Sequence, residues 1–156
     1  MKDDIKTFAE YRLLIKEYKE SDSASRKEAI EYSVFAKARA LLHKLKVLYA
    51  KYGRDVVEDS DYQEDRGWLS LAEFDEDTVW LHYSDRWAYG GECDIGIEVP
   101  MMYLDSDEME ALEKGLCEEN VSRIKKLIQE KKDAIEELKK EVEDLEAEVN
   151  EDNHIR

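Results

Sequence analysis

A regular alternation of three- and four-residue spacings between apolar side chains near the C-terminus constrains this chain more than any other feature. With one charged interruption at Lys131, four heptads keep this spacing through Val121, Ile124, Ile128, Ile135, Leu138, Val142, Leu145 and Val149. Apolar residues at the first and fourth heptad positions form one seam along a helix, which is typical of a coiled coil. The sequence therefore predicts a helix from Ser106 to about Val149, roughly 65 Å long, with these residues as its oligomerisation seam.

The charges of this segment are polarised along its length. Residues 121–140 carry seven basic and four acidic side chains, whereas residues 141–153 carry seven acidic side chains and no basic ones. Val or Ile at the first seam position with Leu at the fourth favours a parallel dimer, but parallel pairing would set Glu141 near Glu146 of the second copy. An antiparallel homodimer, or folding of the acidic end onto the basic second helix of the same chain, would remove the conflict.

Apolar residues at helical spacing also predict two helices near the N-terminus, over about 2–20 and 24–52. Ser, Asp and Ser side chains between them are good helix caps, and Gly53 is the residue type favoured just past a helix end. A short turn between two helices predicts an antiparallel hairpin.

Three strand-like runs follow the hairpin, over about 67–74, 78–84 and 93–99. An acidic turn at Asp75–Asp77 separates the first two, and Pro100 closes the third. The sequence thus predicts an α+β fold, with an N-terminal helical hairpin packed on a three-stranded antiparallel sheet and a long C-terminal coiled-coil helix. We expect residues 1–120 to form the α+β domain and residues 121–156 the coiled-coil extension.

Alternation along the strands separates an apolar face from a mixed one that carries Trp68, Trp80 and His82. A register that pairs Leu81 with Ile95 would set Trp80 across from Gly96 and His82 across from Asp94. This mixed face has two interpretations. It is either a structural surface, with a Trp ring lying over a glycine, or a binding face, because Trp and Tyr are enriched among interface hot spots.

The net charge of −16 is concentrated in the middle of the chain. Residues 24–53 carry seven basic and two acidic side chains, while residues 54–120 carry four basic and twenty-one acidic ones. This balance argues against direct binding of nucleic acid, which draws on clustered Lys and Arg. It either keeps the protein soluble or attracts a basic protein partner.

Several classes of protein lack support in the sequence. Without an apolar run near 18 residues or a signal peptide, we expect no membrane association and a cytoplasmic protein. Cys93 and Cys117 have no neighbours at metal-ligand spacing, so we expect reduced thiols, no metal and no cofactor. His82 and Asp94 lack a nucleophile in a strained turn, so we expect no enzyme, and a hydrolase that uses His82 is the least favoured interpretation.

Residues 68–104 contain "VWLHY", "W-x-Y-G-G" and "I-x-V-P-x-x-Y-L" in that order. This quarter of the chain resembles small accessory proteins of bacteriophages and mobile elements. Members with a known role are often small acidic inhibitors of host nucleases, including the anti-CRISPR class, some of which imitate nucleic acid with carboxylates. The resemblance implies the cytoplasm of a bacterial host as the location.

Taken together, these features predict a protein that binds and inhibits a basic, nucleic-acid-handling host protein, such as a CRISPR effector or another defence nuclease. Its carboxylates would occupy a Lys and Arg groove, and its Trp rings would anchor the contact. The expected partner-binding residues are Asp55, Glu58, Asp59, Asp61, Glu64, Asp65, Trp68, Asp75, Glu76, Asp77, Trp80, His82, Trp87, Tyr89 and Asp94. The alternative is a structural or adaptor protein that assembles through its coiled coil, with incidental acidity.

Overall fold

The fold is α+β, as the sequence predicts. A computed structural model describes residues 4–58, 62, 67–86 and 92–155. The elements in chain order are α1 (Phe8–Glu20), α2 (Ala24–Lys51), β1 (Trp68–Phe74), β2 (Thr78–Arg86), β3 (Glu92–Pro100), a 3₁₀ turn (Met101–Leu104) and α3 (Ser106–Ile155). The chain divides into two compact units, Met1–Lys114 and Gly115–Arg156, so the division falls within α3.

Helix α1 begins later than the predicted start near residue 2. The Thr7 side chain accepts a hydrogen bond from the Glu10 N–H at 3.1 Å, which is the geometry of an N-terminal cap. The Phe8 N–H, which has no partner within the helix, donates to the Asp105 carboxylate at 2.9 Å. Ile5 precedes the helix and is buried, so its apolar character reflects packing rather than helical periodicity.

Helix α2 begins where predicted and ends one residue before its predicted end. Ser23 accepts a hydrogen bond from the Arg26 N–H, and the helix finishes at Lys51. Gly53 follows with φ 69°, a left-handed conformation that glycine adopts without the steric cost of a Cβ atom. The Gly53 N–H then donates to the Ala50 carbonyl and the Arg54 N–H to the Tyr49 carbonyl, so these carbonyls of the last helical turn have hydrogen-bond partners.

The sheet is an antiparallel meander in the order β1-β2-β3, as predicted. Its register differs from the predicted one, because Leu81 pairs with Ile97 rather than with Ile95. A shift of two residues keeps every side chain on the same face, so alternation in the sequence does not distinguish the two registers. A bulge between Leu71 and Glu73 also interrupts the β1–β2 pairing.

One face of the sheet packs on the α1–α2 hairpin and forms the core, as predicted. From the strands, Val79, Leu81, Tyr83 and Val99 contribute fully buried side chains to it. From the helices, the core receives Tyr11, Leu14, Ile15, Ile30, Val34, Ala38, Leu41, Leu42 and Leu45. We call this buried side the inner face and the opposite side the outer face.

The β1–β2 turn is fastened to α1 by polar contacts. The buried Tyr11 hydroxyl donates to the backbone carbonyl of Asp75. Arg12 forms an ion pair with Asp77, and Lys19 forms one with Glu76 at 2.9 Å. Burial, followed by the charges of Asp75 and Asp77, raises the pKa of Tyr11 above its ordinary value, so the hydroxyl remains a donor through the neutral range.

We expect Tyr11→Phe to lower the free energy of unfolding by about 1–2 kcal/mol, because the Asp75 carbonyl loses its buried donor. Urea denaturation followed by circular dichroism measures this change. Tyr32→Phe is the matched control, since Tyr32 is 63% exposed on α2. Equal midpoints for the two variants would show that the Tyr11 hydroxyl does not hold the turn.

Glu113 links the first turns of α3 to the end of α2. Its carboxylate accepts hydrogen bonds from the Lys51 ammonium at 2.7 Å and from the Tyr52 hydroxyl at 3.0 Å. The Lys51 hydrogen bond, followed by that of Tyr52, lowers the pKa of Glu113 below its ordinary value. The carboxylate therefore stabilises the fold in its charged form.

This lowered pKa gives a pH dependence with a definite sign. The contribution of Glu113 to stability is complete above the ordinary pKa of glutamate and is lost as pH falls through the lowered folded value. We expect Glu113→Gln to lower the melting temperature at pH 7 and to match the wild type once pH is below the folded pKa. Melting curves from pH 7 to pH 3 measure this. A difference that does not change with pH would contradict the assignment.

Candidate partner-binding face

The outer face carries the aromatic and polar residues that the sequence singles out. Because the inner face is buried against helices, alternate side chains of each strand point outward. Trp68 is the most prominent, with 58% of its surface exposed. Ordered by strand, the outer face consists of Trp68, Ser70 and Glu73 from β1, Trp80, His82 and Ser84 from β2, and Asp94, Gly96 and Glu98 from β3.

Trp80 lies across from Glu98, not across from Gly96 as the predicted register had it. Its indole Nε1–H donates to the Glu98 carboxylate at 3.3 Å. This bond fixes the ring orientation and leaves the ring half-buried next to a carboxylate. The outer face therefore presents an aromatic ring and a negative charge side by side.

His82 lies across from Gly96 and nevertheless reaches Asp94. Its Nε2 is 3.3 Å from the Asp94 carboxylate, along the diagonal of the sheet. A Cβ atom built at Gly96 would have no neighbour within 4 Å, so this contact does not depend on the glycine. The predicted contact between His82 and Asp94 is present, although the register that motivated it is wrong.

Ser84 completes a triangle with these two residues. Its hydroxyl donates to the Asp94 carboxylate at 3.2 Å and lies 3.2 Å from Nδ1 of His82. Ser84 is not among the predicted site residues, although its position two residues after His82 places it on the same strand face. Side-chain alternation would have been enough to find it.

The triangle contains the residue types of a hydrolytic triad without the geometry of one. A catalytic serine passes its proton to the histidine, whereas the Ser84 hydroxyl donates to Asp94. The cluster is also open to solvent, since the side chains of His82 and Asp94 are 42% and 59% exposed. An exposed cluster of donors and acceptors is suited to binding a polar partner group.

The three acidic residues of the β1–β2 turn already make hydrogen bonds or ion pairs with other residues of the chain. Asp75 accepts hydrogen bonds from the N–H groups of Asp77 and Thr78, both at 2.8 Å. Glu76 and Asp77 make the ion pairs with α1 described above. Their charges are partly compensated, so they hold the turn and contribute less to the attraction of a partner.

The other predicted partner-binding residues divide into two groups. Asp55 and Glu58 lie exposed in the segment after α2. The remaining six, namely Asp59, Asp61, Glu64, Asp65, Trp87 and Tyr89, lie outside the described residues.

The unit Gly115–Arg156 carries the predicted seam on a helical surface. All eight seam residues are exposed, from 43% at Ile124 to 60% at Leu145. Leu127 lies beside the seam and is 45% exposed, and the sequence analysis did not include it. In the single chain the seam is therefore an apolar stripe in contact with solvent, interrupted at Lys131.

Asp85 is a buried carboxylate that the sequence analysis also missed. It lies near the end of β2, is 1% exposed and accepts a hydrogen bond from the Tyr83 hydroxyl at 3.3 Å. The predicted strand ended at residue 84, so the alternation that places residue 85 inward was not applied to it.

The described residues contain no group of three His, Cys, Asp or Glu side chains arranged to hold a metal ion. Within the same ranges, none of the helices has an apolar stretch long enough to cross a bilayer. Comparison of the chain with protein-family models, with curated proteins and with solved structures finds no match.

Proposed function

We propose that the protein binds a basic, nucleic-acid-handling protein through its outer face and the acidic residues at positions 55–65 of the sequence, and thereby inhibits that protein. The observation that carries the proposal is the combination of the exposed Trp68 ring and the half-buried Trp80 ring with the carboxylates of Asp94 and Glu98. The class of partner is a cytoplasmic bacterial nuclease such as a CRISPR effector, in keeping with the resemblance of residues 68–104 to phage accessory proteins.

The chemistry of this surface suits the side chains that bind nucleic acid. An Arg guanidinium stacks on an aromatic ring and at the same time pairs with a carboxylate through two parallel hydrogen bonds. The outer face offers both kinds of group on neighbouring strands. The net charge of −16 also speeds the approach of a basic partner. Covering the partner's Lys and Arg residues would exclude nucleic acid by steric competition.

The Trp rings are expected to hold the finished complex. With a partner isolated from bacterial lysate, surface plasmon resonance should show that Trp68→Ala speeds dissociation by about 30-fold, the effect of losing roughly 2 kcal/mol at an interface hot spot. Leu13→Ala is the matched control, because Leu13 is 68% exposed on α1. Both variants must keep the wild-type melting temperature. Unchanged dissociation of folded Trp68→Ala would remove the outer face from the interface.

The acidic residues are expected to act mainly on association. Asp55→Lys combined with Glu58→Lys should slow association and flatten its salt dependence, because exposed charges steer the encounter. If both this variant and Trp68→Ala bind like the wild type, the α+β unit is not the interface.

A second candidate function is assembly, and the exposed stripe of Gly115–Arg156 favours it. Eight apolar side chains at heptad spacing are costly to leave in water. A second copy that covers them would make the protein a coiled-coil scaffold or adaptor. Salt separates the candidates, because a charge-steered complex weakens between low and physiological salt while an apolar seam loses little.

Light scattering should report a dimer, and Leu138→Asp combined with Leu145→Asp should give a monomer with a lower melting temperature. The matched control is Ala147→Asp, an exposed position on the opposite side of the helix from the seam. A monomeric wild type, or a double variant that melts like the control, would show that the stripe does not pair.

The charge polarity of the helix favours an antiparallel dimer. An alignment that sets Ile135 against Leu138 of the second copy also sets Ile128 against its Leu145, and Lys125 near its Glu146. With the native cysteines replaced by Ser, Ile128→Cys protein should form a disulfide with Leu145→Cys protein only when the two are mixed. Cross-linking of either protein with itself would indicate parallel pairing.

A further inference from the structure

Among the described residues, only β2 pairs with β1, and the other side of the β1 backbone has no partner strand. The sheet order places β1 at an edge, with β2 on its other side. Within the described ranges, no backbone hydrogen bond reaches β1 from any other element. Every second residue of an edge strand presents its N–H and C=O groups outward, where they are available to pair with another strand.

A cleft of about 770 Å³ runs along this open edge. Six consecutive residues of β1, from Leu69 to Phe74, line it. Successive side chains of a strand point to opposite faces. A cleft that touches all six therefore follows the edge of the strand, where the backbone groups are, rather than either face of the sheet.

The opposite wall of the cleft is formed by the helical hairpin and is largely apolar. It contains Ile15 and Tyr18 from α1, together with Tyr32 and Phe35 from α2. The Tyr32 side chain is 63% exposed, and Tyr18 packs edge-on against Phe74 of β1. An open strand edge facing an apolar helix wall is the arrangement that accepts an extended peptide as an added strand.

The charges around the cleft are predominantly acidic. Glu28, Glu31 and Glu73 line it, and Lys19 is its basic residue. The Lys19 ammonium already forms an ion pair with Glu76, and the Glu31 carboxylate accepts a hydrogen bond from the Tyr18 hydroxyl. Glu28 and Glu73 make no hydrogen bond or ion pair with other described residues, so their charges face the cleft uncompensated.

We propose that this cleft binds an extended peptide segment of a protein partner, with apolar and basic side chains in alternation, which adds to β1 as a fourth strand. The backbone groups of β1 supply the pairing, the apolar wall receives alternate side chains, and Glu28 and Glu73 attract Lys or Arg. The seven residues of β1 span roughly 20 Å, enough for a peptide of about six residues.

This binding site goes beyond the proposed function and does not depend on it. The outer face binds through side chains that project from the sheet, while the cleft binds through the backbone edge of β1. Glu73 pairs with Trp80 and so also borders the outer face, whereas Glu28→Lys alone leaves the outer face intact and Trp68→Ala leaves the cleft lining intact. These two single variants distinguish failure of either proposal from failure of the other.

The test uses the full chain and a defined probe, the acetylated and amidated peptide Lys-Val-Arg-Phe-Lys-Val-Arg. Titration of ¹⁵N-labelled protein should shift the amide signals of β1 and of the facing turns of α2, and should slow hydrogen exchange at alternate β1 residues. The same peptide with every second amide N-methylated, on the side that pairs with β1, should not bind. Equal binding of the methylated peptide would overturn the proposal, because strand addition needs those donors.

Charge variants test the recognition of basic side chains. Glu28→Lys combined with Glu73→Lys should weaken peptide binding about tenfold. Glu143→Lys combined with Glu151→Lys changes the net charge equally on exposed positions of α3 and should bind like the wild type. Equal weakening in both variants would show that the peptide responds only to net charge, which overturns the site.

The protein without peptide supplies the last comparison. Concentration-dependent protection of β1 amides, retained when the seam of α3 is disrupted by Leu138→Asp, would identify a second copy as the occupant and overturn the peptide assignment. Unprotected β1 amides in the free protein, with protection on adding the peptide, support it.

Discussion

Burial of the inner sheet face against the α1–α2 hairpin is the constraint on which the other features depend. Val79, Leu81 and Tyr83 are fully inaccessible there, and burial of side chains of this size stabilises the fold by about 1.5–3 kcal/mol each. Because that face is fixed, alternation turns Trp68, His82 and Asp94 outward. The same packing places the hairpin beside the open edge of β1 and so creates the cleft.

The acidity of the chain serves more than one purpose. Some carboxylates are structural: Asp105 caps α1, Asp75 organises the β1–β2 turn, and Glu113 joins α3 to α2. Others face solvent on the outer face or around the cleft and remain available to a partner. The number of acidic residues therefore overstates the negative charge that is available to attract a basic protein, because ion pairs within the chain already compensate part of that charge.

Three surfaces have the properties of contact sites, and each would recognise a different feature of a partner. The outer face offers aromatic rings beside carboxylates, and the α3 stripe offers apolar residues at heptad spacing. The cleft offers backbone groups of β1 that pair with no other described residue, beside an apolar wall. The complexes that these surfaces would form differ in their salt dependence, in their need for the partner's backbone amides and in their stoichiometry. The experiments proposed for them are therefore independent.

Periodicity in the sequence predicts the three helices, the three strands, the inner face of the sheet and the apolar stripe of α3, because it reports directly which side chains share a face. The end of α2 was also readable, since Gly53 marks it. The register depends on tertiary structure, because the same residues are buried whether Leu81 pairs with Ile95 or with Ile97. Tertiary structure also brings Asp105, 97 residues away, to the Phe8 N–H at the start of α1. The Ser84 contacts and the β1 cleft likewise depend on how strands and helices meet, which local pattern does not encode.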